Sequence, residues 1–213
     1  MKLYNYFRSS ASYRVRIALA LKNLPYDYVS VHLARGDHQL PEFAQLVADP
    51  LVPMLELDDG ERLTQSMAIL EYLEEVQPRP ALLPADALGR ARVRAMMQSI
   101  ACEIHPLNNL RVLKYLVKEM GVDEAHKNRW YAHWVRQGLE AFEQQLRTGP
   151  GGAFCYGDQP TMADCLLVPQ LFNAQRFNVP LDGLPLVQGV WAACMALDAF
   201  NQTQPSACPD AEA

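Results

Sequence analysis

Two hydroxyl residues, Ser9 and Ser10, follow Arg8 where the strand-like run KLYNYF gives way to the helical pattern of SYRVRIAL. A helix start leaves backbone N–H groups unpaired and carries the positive end of the helix dipole, so it favours an anion. A thiolate would be stabilised there; N-capping, which serine does commonly, is the alternative. Arg8, Arg14 and Arg16 add positive charge to the same stretch, with Arg14 and Arg16 fitting a solvated helix face.

A second constellation lies in LVPMLELDDGERLTQSMAILEYL. Val52-Pro53 enters a strand, Asp59-Gly60 makes a turn, and Gln65-Ser66 opens a helix with the apolar face Ile69, Tyr72, Leu73 and Val76. A proline at a strand start removes one ladder donor, and a cis peptide would expose the backbone of Val52 to an extended peptide. Gln65 and Ser66 offer an amide, a hydroxyl and dipole-directed N–H groups to a carboxylate, or serve as a helix cap.

The elements that must hold these residues change character near residue 80. Before it, strand-like runs at Leu3–Phe7, Tyr26–Leu33, Val52–Leu57 and Arg62–Leu63 alternate with helical patterns, the rhythm of an α/β layer domain. Pro78, Pro80 and the stretch ALLPADALG then punctuate the chain. The expected division is an α/β domain at 1–80, a linker at 81–87 and an all-α domain at 88–213. In the last, Val93, Met96, Met97, Ile100, Ala101 and Ile104 form one apolar stripe of ordinary core type. Pro106 should bend or break that helix, leaving the carbonyl of Cys102 without its usual partner. Later patterns bring the count to five or six helices, a bundle.

The 213 residues, 50% hydrophobic and 20% charged, are ordinary for a globular protein with one large core or two modest ones. A net charge of −5 with interleaved signs gives no basic stripe for a phosphate backbone, which argues against nucleic acid. No apolar run reaches the ~20 residues that span a bilayer, and MKLYNYF lacks a signal-peptide h-region. No membrane association and a cytoplasmic location are therefore expected. Cys102, Cys155, Cys165, Cys194 and Cys208 form no CxxC pair, so the expectation is reduced, mostly buried thiols, with no disulfide framework and no metal site.

Serines after the first strand, Val-Pro before the third and Gln-Ser opening the third helix resemble, in that order, the glutathione site of the cytosolic glutathione transferases. RSSASYRVRIAL, ALLPAD, EIHPLNNLRVLKYL, GDQPTMADCLLVPQ and NAQRF narrow the resemblance to the zeta class, the maleylacetoacetate and maleylpyruvate isomerases. Almost the whole chain is covered. The resemblance implies a thioredoxin-like domain (βαβαββα) joined to an all-helical glutathione-transferase domain, a homodimer, and glutathione as a cofactor that is not consumed. It further implies that Ser9 hydrogen-bonds the glutathione sulfur with Ser10 its neighbour, that the Val52 backbone pairs with the cysteinyl unit, and that Gln65 and Ser66 hold the γ-glutamyl end. His38, His105 and Asn109 stand at positions that reach glutathione in this class. His32, His126 and His133 have no such motif and are expected to be structural or exposed.

The family signature usually carries a cysteine where this chain has Ala11, and Asn-Pro where it has Val47-Ala48, with Asp49-Pro50 beyond. Chemistry that depends on that thiol should be missing, while thiol addition to a double bond does not need it. The implied reaction is cis–trans isomerisation of an activated double bond in a small dicarboxylate, by reversible thiolate addition without a metal. A free thiol near pKa 8.5 is a few per cent ionised at neutral pH; lowering it by about two pH units takes roughly 2.7 kcal/mol of selective thiolate stabilisation. A hydrogen bond to a charged group supplies about 1.5–3 kcal/mol and the helix dipole about 0.3–1, so Ser9 at a helix end is of the right order.

Arginine forks suit the substrate's carboxylates. Arg8 beside Ser9, Arg176 in NAQRF and Arg111 in NNLRVL are the candidates, each with a surface salt bridge as its plainer role. A transferase acting on small α-halo acids or peroxides could use the same thiolate and anion pocket, but the arginines favour the isomerase. A non-catalytic binding module would be expected to have lost Ser9 and Gln65-Ser66. Thr161 and Asp164 have capping-box spacing ahead of an apolar helix, and Trp130 with Trp134 suits packing or a dimer surface.

Overall fold

Hydrophobic side chains on short β-favouring runs produce four strands, β1 (Lys2–Asn5), β2 (Asp27–Ser30), β3 (Met54–Glu56) and β4 (Arg62–Thr64), in the order β2-β1-β3-β4. This is a computed structural model and it describes residues 1–212. β1 runs parallel to β2 and antiparallel to β3, and β3 runs antiparallel to β4. Helices α1 (Ser10–Leu21), the short α2 (Pro41–Ala44) and α3 (Ser66–Val76) complete the expected βαβαββα order.

The chain forms two units. The first comprises Met1–Leu82 together with the segment from Met195 onward; the second is Leu83–Cys194. The expected helical domain at 88–213 is therefore divided, because its final segment belongs with the sheet. The reason lies on α1, which buries nearly its whole circumference. The Tyr13 hydroxyl donates to the carbonyl of Phe200 at 2.8 Å, and Arg16 Nε donates to the carbonyl of Thr203 at 3.0 Å. Phe200, on the one-turn helix α9 (Asp198–Asn201), is fully buried.

The end of the first unit is pinned by an ion pair. Lys22 caps the C-terminus of α1 and is buried with Glu74 of α3, Nζ to Oε2 at 2.7 Å. The ammonium also donates to the carbonyls of Gln77 (2.6 Å) and Pro80 (3.0 Å), and Glu74 accepts the amide of Leu82. Every charge is thus hydrogen-bonded, the condition under which a buried pair is tolerated.

In the second unit, α4 (Ala87–Gln98) passes into a π-helical turn (Ser99–Ile104) before Pro106 and a single 3-10 turn (Pro106–Asn108). The amide of His105 donates to the carbonyl of Ile100, five residues back, at 2.9 Å. The break expected at Pro106 begins earlier, as a widened turn ahead of the proline. Helices α5 (Leu110–Lys118), α6 (Glu124–Thr148), α7 (Met162–Arg176) and α8 (Pro185–Met195) follow. Gly138 on α6 lets the wide turn approach; a Cβ there would meet Ile104 Cγ1 at 2.3 Å. The Thr161–Asp164 capping box forms, with the Asp164 carboxylate accepting from the Thr161 amide (2.7 Å), the Thr161 hydroxyl (2.8 Å) and the Cys155 amide (2.8 Å). Burial raises the Asp164 carboxyl above its ordinary range while these bonds oppose the rise.

Lys22→Met should lower the unfolding free energy by about 3 kcal/mol, because it leaves the Glu74 carboxylate buried without its counter-charge. Urea denaturation followed by circular dichroism checks this; an unchanged midpoint would contradict it.

Candidate active site

The strand register brings the sequence's candidates to one end of the sheet. Tyr4 of β1, Met54 of β3 and Thr64 of β4 form one row across the ladder. Because β1 and β4 run in the same direction and β3 opposes them, the chain leaves β1 toward Ser9, enters β3 from Val52-Pro53 and leaves β4 into Gln65-Ser66, all at this end. β2 is parallel to β1, so the loop that reaches His38 departs from the same end.

Ser9 is the N-cap of α1 (φ −71°, ψ 115°), and its Oγ accepts the amide of Ser12 at 3.2 Å. A serine hydroxyl has two acceptor positions and one proton, so capping leaves that proton for a second partner. The two roles expected as alternatives are compatible. Ser10, by contrast, is buried in the first turn, whereas Ser9 is partly exposed. Ser9 is the one that faces outward. Arg8 is exposed, with its guanidinium carbon 4.8 Å from the centre of the Phe7 ring.

Val52 stands just ahead of β3, and its peptide bond to Pro53 is cis. Gln65 is held at φ 68°, ψ 111°, an uncommon backbone conformation for a residue with a Cβ, immediately before α3 begins at Ser66. Its side chain is exposed while Ser66 is buried. Arg14 Nη1 donates to Ser66 Oγ at 3.2 Å, so the buried side chain of α1 supports the first turn of α3.

Arg14 and Arg16 correct the sequence expectation of a solvated face: they are 2% and 1% exposed. Arg16 donates to Asn5 Oδ1 (2.9 Å) and to the carbonyls of Tyr6 (3.4 Å) and Phe7 (3.1 Å), gripping the loop that presents Arg8 and Ser9. The signal available in the sequence was the apolar character of α1 on all sides, since a helix buried all round has no solvated face for its charges. His38 sits partly buried on a single 3-10 turn, Asp37–Gln39. His32 is structural, as expected: its buried ring lies edge-on to Tyr6 at 4.8 Å. His126 is exposed beside Asp123, and His133 packs edge-on to Trp134.

The second unit holds the remaining candidates in two places. The π turn and Pro106 bring His105 and Asn109 together, with Asn109 Nδ2 3.5 Å from His105 Nε2. Asn109 also caps α5 by accepting the amide of Arg111 at 3.1 Å, which leaves Arg111 exposed on the first turn. Trp130 Nε1 donates to the carbonyl of Leu107 at 2.8 Å, fixing this loop to α6, so Trp130 serves packing. Arg176 ends α7, its guanidinium 4.7 Å from the Phe177 ring centre, and Phe177 stacks on Tyr131 at 3.9 Å. Burial pushes the Tyr131 hydroxyl up to about 12, with the Arg176 charge opposing.

The sheet end as a whole suits an extended peptide thiol. One helix start presents Ser9, the approach to β3 presents the Val52 backbone, and a second helix start presents Gln65 and Ser66. Among the described residues no group of three His, Cys, Asp or Glu side chains is placed to hold a metal, and no helix is long and apolar enough to cross a membrane.

Residues 1–75 match the family model for the glutathione S-transferase N-terminal domain, and residues 124–194 the model for the glutathione S-transferase C-terminal domain. The chain is 50% identical over 211 residues to the maleylpyruvate isomerase of a Ralstonia species, covering 99% of each. A solved holo structure of maleylpyruvate isomerase, described as a bacterial glutathione S-transferase in the zeta class, superposes with a TM-score of 0.97 at 50% identity over 100% of both chains. The maleylacetoacetate isomerase of Anaeromyxobacter dehalogenans, solved with dicarboxyethyl glutathione and citrate in its active site, superposes with a TM-score of 0.89 at 43% identity, over 100% of this chain and 97% of that one.

The backbone at Gln65 should cost stability that glycine would recover. Gln65→Gly is expected to raise the unfolding free energy by about 1 kcal/mol. Chemical denaturation measures it, and a loss of stability would show that the conformation is not strained.

Proposed function

The chain belongs to the zeta class of the glutathione S-transferase family, and from that premise we propose that it is a glutathione-dependent cis–trans isomerase of maleylpyruvate or maleylacetoacetate in aromatic-compound breakdown. The observation that carries the proposal is the row Tyr4, Met54, Thr64, which gathers Ser9, Val52 and Gln65-Ser66 at one end of the sheet.

Glutathione, when bound, would supply the thiol whose ionised form can add reversibly to an activated double bond. The chain's own residues prepare that step. Ser9, whose Oγ accepts from the Ser12 amide and keeps its own proton, would donate that proton to the sulfur, and the start of α1 would add its dipole; together they would favour the ionised form. Ser10, buried behind it, shapes the turn. The Val52 backbone pairs with the cysteinyl unit, and the amide of Gln65 with the hydroxyl and amide of Ser66 hold the γ-glutamyl carboxylate and amine. Arg14 keeps Ser66 in place. His38, and the joined pair His105 and Asn109, serve the remaining polar groups of the cofactor.

The substrate's carboxylates are assigned to Arg8, Arg176 and Arg111. Arg8 and Arg176 each lie against an aromatic ring, which narrows the positions open to a long side chain. Ala11 in place of the family's cysteine fits a reaction in which the only thiol required belongs to the cofactor. A homodimer in the cytoplasm is the corresponding assembly and location.

Maleylacetone or maleylpyruvate isomerisation, measured with and without glutathione, tests the reading: turnover that requires glutathione is expected, and none with either substrate would overturn it. Ser9→Ala should lower kcat roughly 10- to 150-fold, the equivalent of one hydrogen bond to a charged sulfur, while glutathione binding by calorimetry stays near wild type. Arg176→Ala should mainly raise the substrate KM. Full activity in both variants would remove these residues from the site.

A further inference from the structure

We infer that Asp210, far along the chain from every residue of the site, is a positioning residue that fixes the loop presenting Arg8 and Ser9. The inference rests on the assignment of Ser9 as the donor to the cofactor's sulfur.

The loop Tyr6–Ser9 has left the sheet ladder, and its polar groups need partners elsewhere. Its carbonyls have them: Tyr6 and Phe7 accept from the buried Arg16 guanidinium, and Tyr6 also accepts the amide of Ser9 at 3.0 Å. The amide of Phe7 donates to Asp210 Oδ2 at 3.4 Å. The backbone of Phe7 is thus held on both sides, by a carboxylate at its N–H and by a guanidinium at its carbonyl. The direction in which Arg8 and Ser9 leave is set by those two charges.

Asp210 can act as an anchor because it is itself tied down. Its Oδ2 accepts the Ser30 hydroxyl at 2.8 Å, and its Oδ1 accepts the Tyr28 hydroxyl, so both side chains come from β2 and the carboxylate bridges β2 to the β1–α1 loop. Burial, followed by this bond to Asp210, holds the Tyr28 hydroxyl well above its usual range, keeping it a donor. Two residues on, Glu212 Oε1 accepts from Arg35 Nη2 at 2.5 Å and lies 3.0 Å from His32 Nε2. The amide of His32 in turn donates to Asp37 Oδ2 at 3.0 Å, beside His38. Segment 210–212 therefore links the loop of Ser9 to the loop of His38. The bonds from Ser30 and Arg35 to these carboxylates are short and charge-assisted, the strong kind, while the 3.4 Å bond from Phe7 is a long one that they hold in place; small displacements of a reacting group are costly.

Asp210→Ala provides the test, read by amide hydrogen exchange of the segment 6–10 without glutathione and by steady-state kinetics with it. Exchange should quicken, and kcat should fall ~10-fold with the glutathione KM within about twofold of wild type, because Val52, Gln65 and Ser66 are untouched and the link toward the His38 loop is made by Glu212, which remains. Asp210→Asn keeps the volume and one acceptor oxygen and should recover part of kcat; if the alanine variant does not fold, the asparagine variant gives the same readings at smaller amplitude. Unchanged exchange and unchanged kcat would overturn the inference. So would a loss of kcat matched by a loss of glutathione affinity, which would mark a purely structural role. A wild-type protein that turns over neither maleyl substrate overturns the proposed reaction instead, and the exchange measurement still decides whether Asp210 holds the loop.

Discussion

An antiparallel strand between two strands of the opposite sense imposes the geometry from which everything else follows. Because β3 opposes β1 and β4, the exits of two strands and the entrance of a third meet at one end of the sheet. Both exits lead into helices, so two positive helix ends and an open stretch of extended backbone converge there. Such a place favours an anionic, extended ligand before any particular side chain is considered. In the proposed function the side chains then select among ligands: Ser9 is assigned to the sulfur, Gln65 and Ser66 to a charged terminus, and Arg8 to a further carboxylate.

Concentrating positive charge in this way needs support from below. Arg14 and Arg16 project inward from α1, Arg14 donating from Nη1 to Ser66 and Arg16 donating to Asn5 and the loop carbonyls of Tyr6 and Phe7. At the other end of the same helix Lys22 is neutralised by Glu74. Helix α1 is thus a buried spine whose charges face the protein, and the segment from Met195 onward shields it, with Phe200 and Thr203 accepting from Tyr13 and Arg16. In the second unit the local devices differ. A widened turn ahead of Pro106 brings His105 and Asn109 together, and aromatic rings steady Arg176.

Much of this could be foreseen from the sequence because local rules governed it. The strand and helix order up to residue 80 follows from periodicity and turn residues, and the Thr161–Asp164 box follows from spacing alone. The candidates Ser9, Val52, Gln65 and Ser66 are legible because each sits at an element boundary. What escaped was non-local. Arg14 and Arg16 look like surface residues until the packing around α1 is known. The return of the final segment to the first unit depends on bonds such as Tyr13 to Phe200, across 187 positions of sequence, for which no local pattern exists. Asp210 is inconspicuous for the same reason.

The central claim is that the sheet end and Ser9 favour a thiolate. Ultraviolet absorbance of the thiolate, titrated against pH in the wild-type complex with glutathione, measures this without any substrate. The bound thiol should titrate about two pH units below the ~8.5 of a free thiol, in line with a hydrogen bond to charge plus a helix dipole. A bound thiol that titrates at its free value would contradict the account.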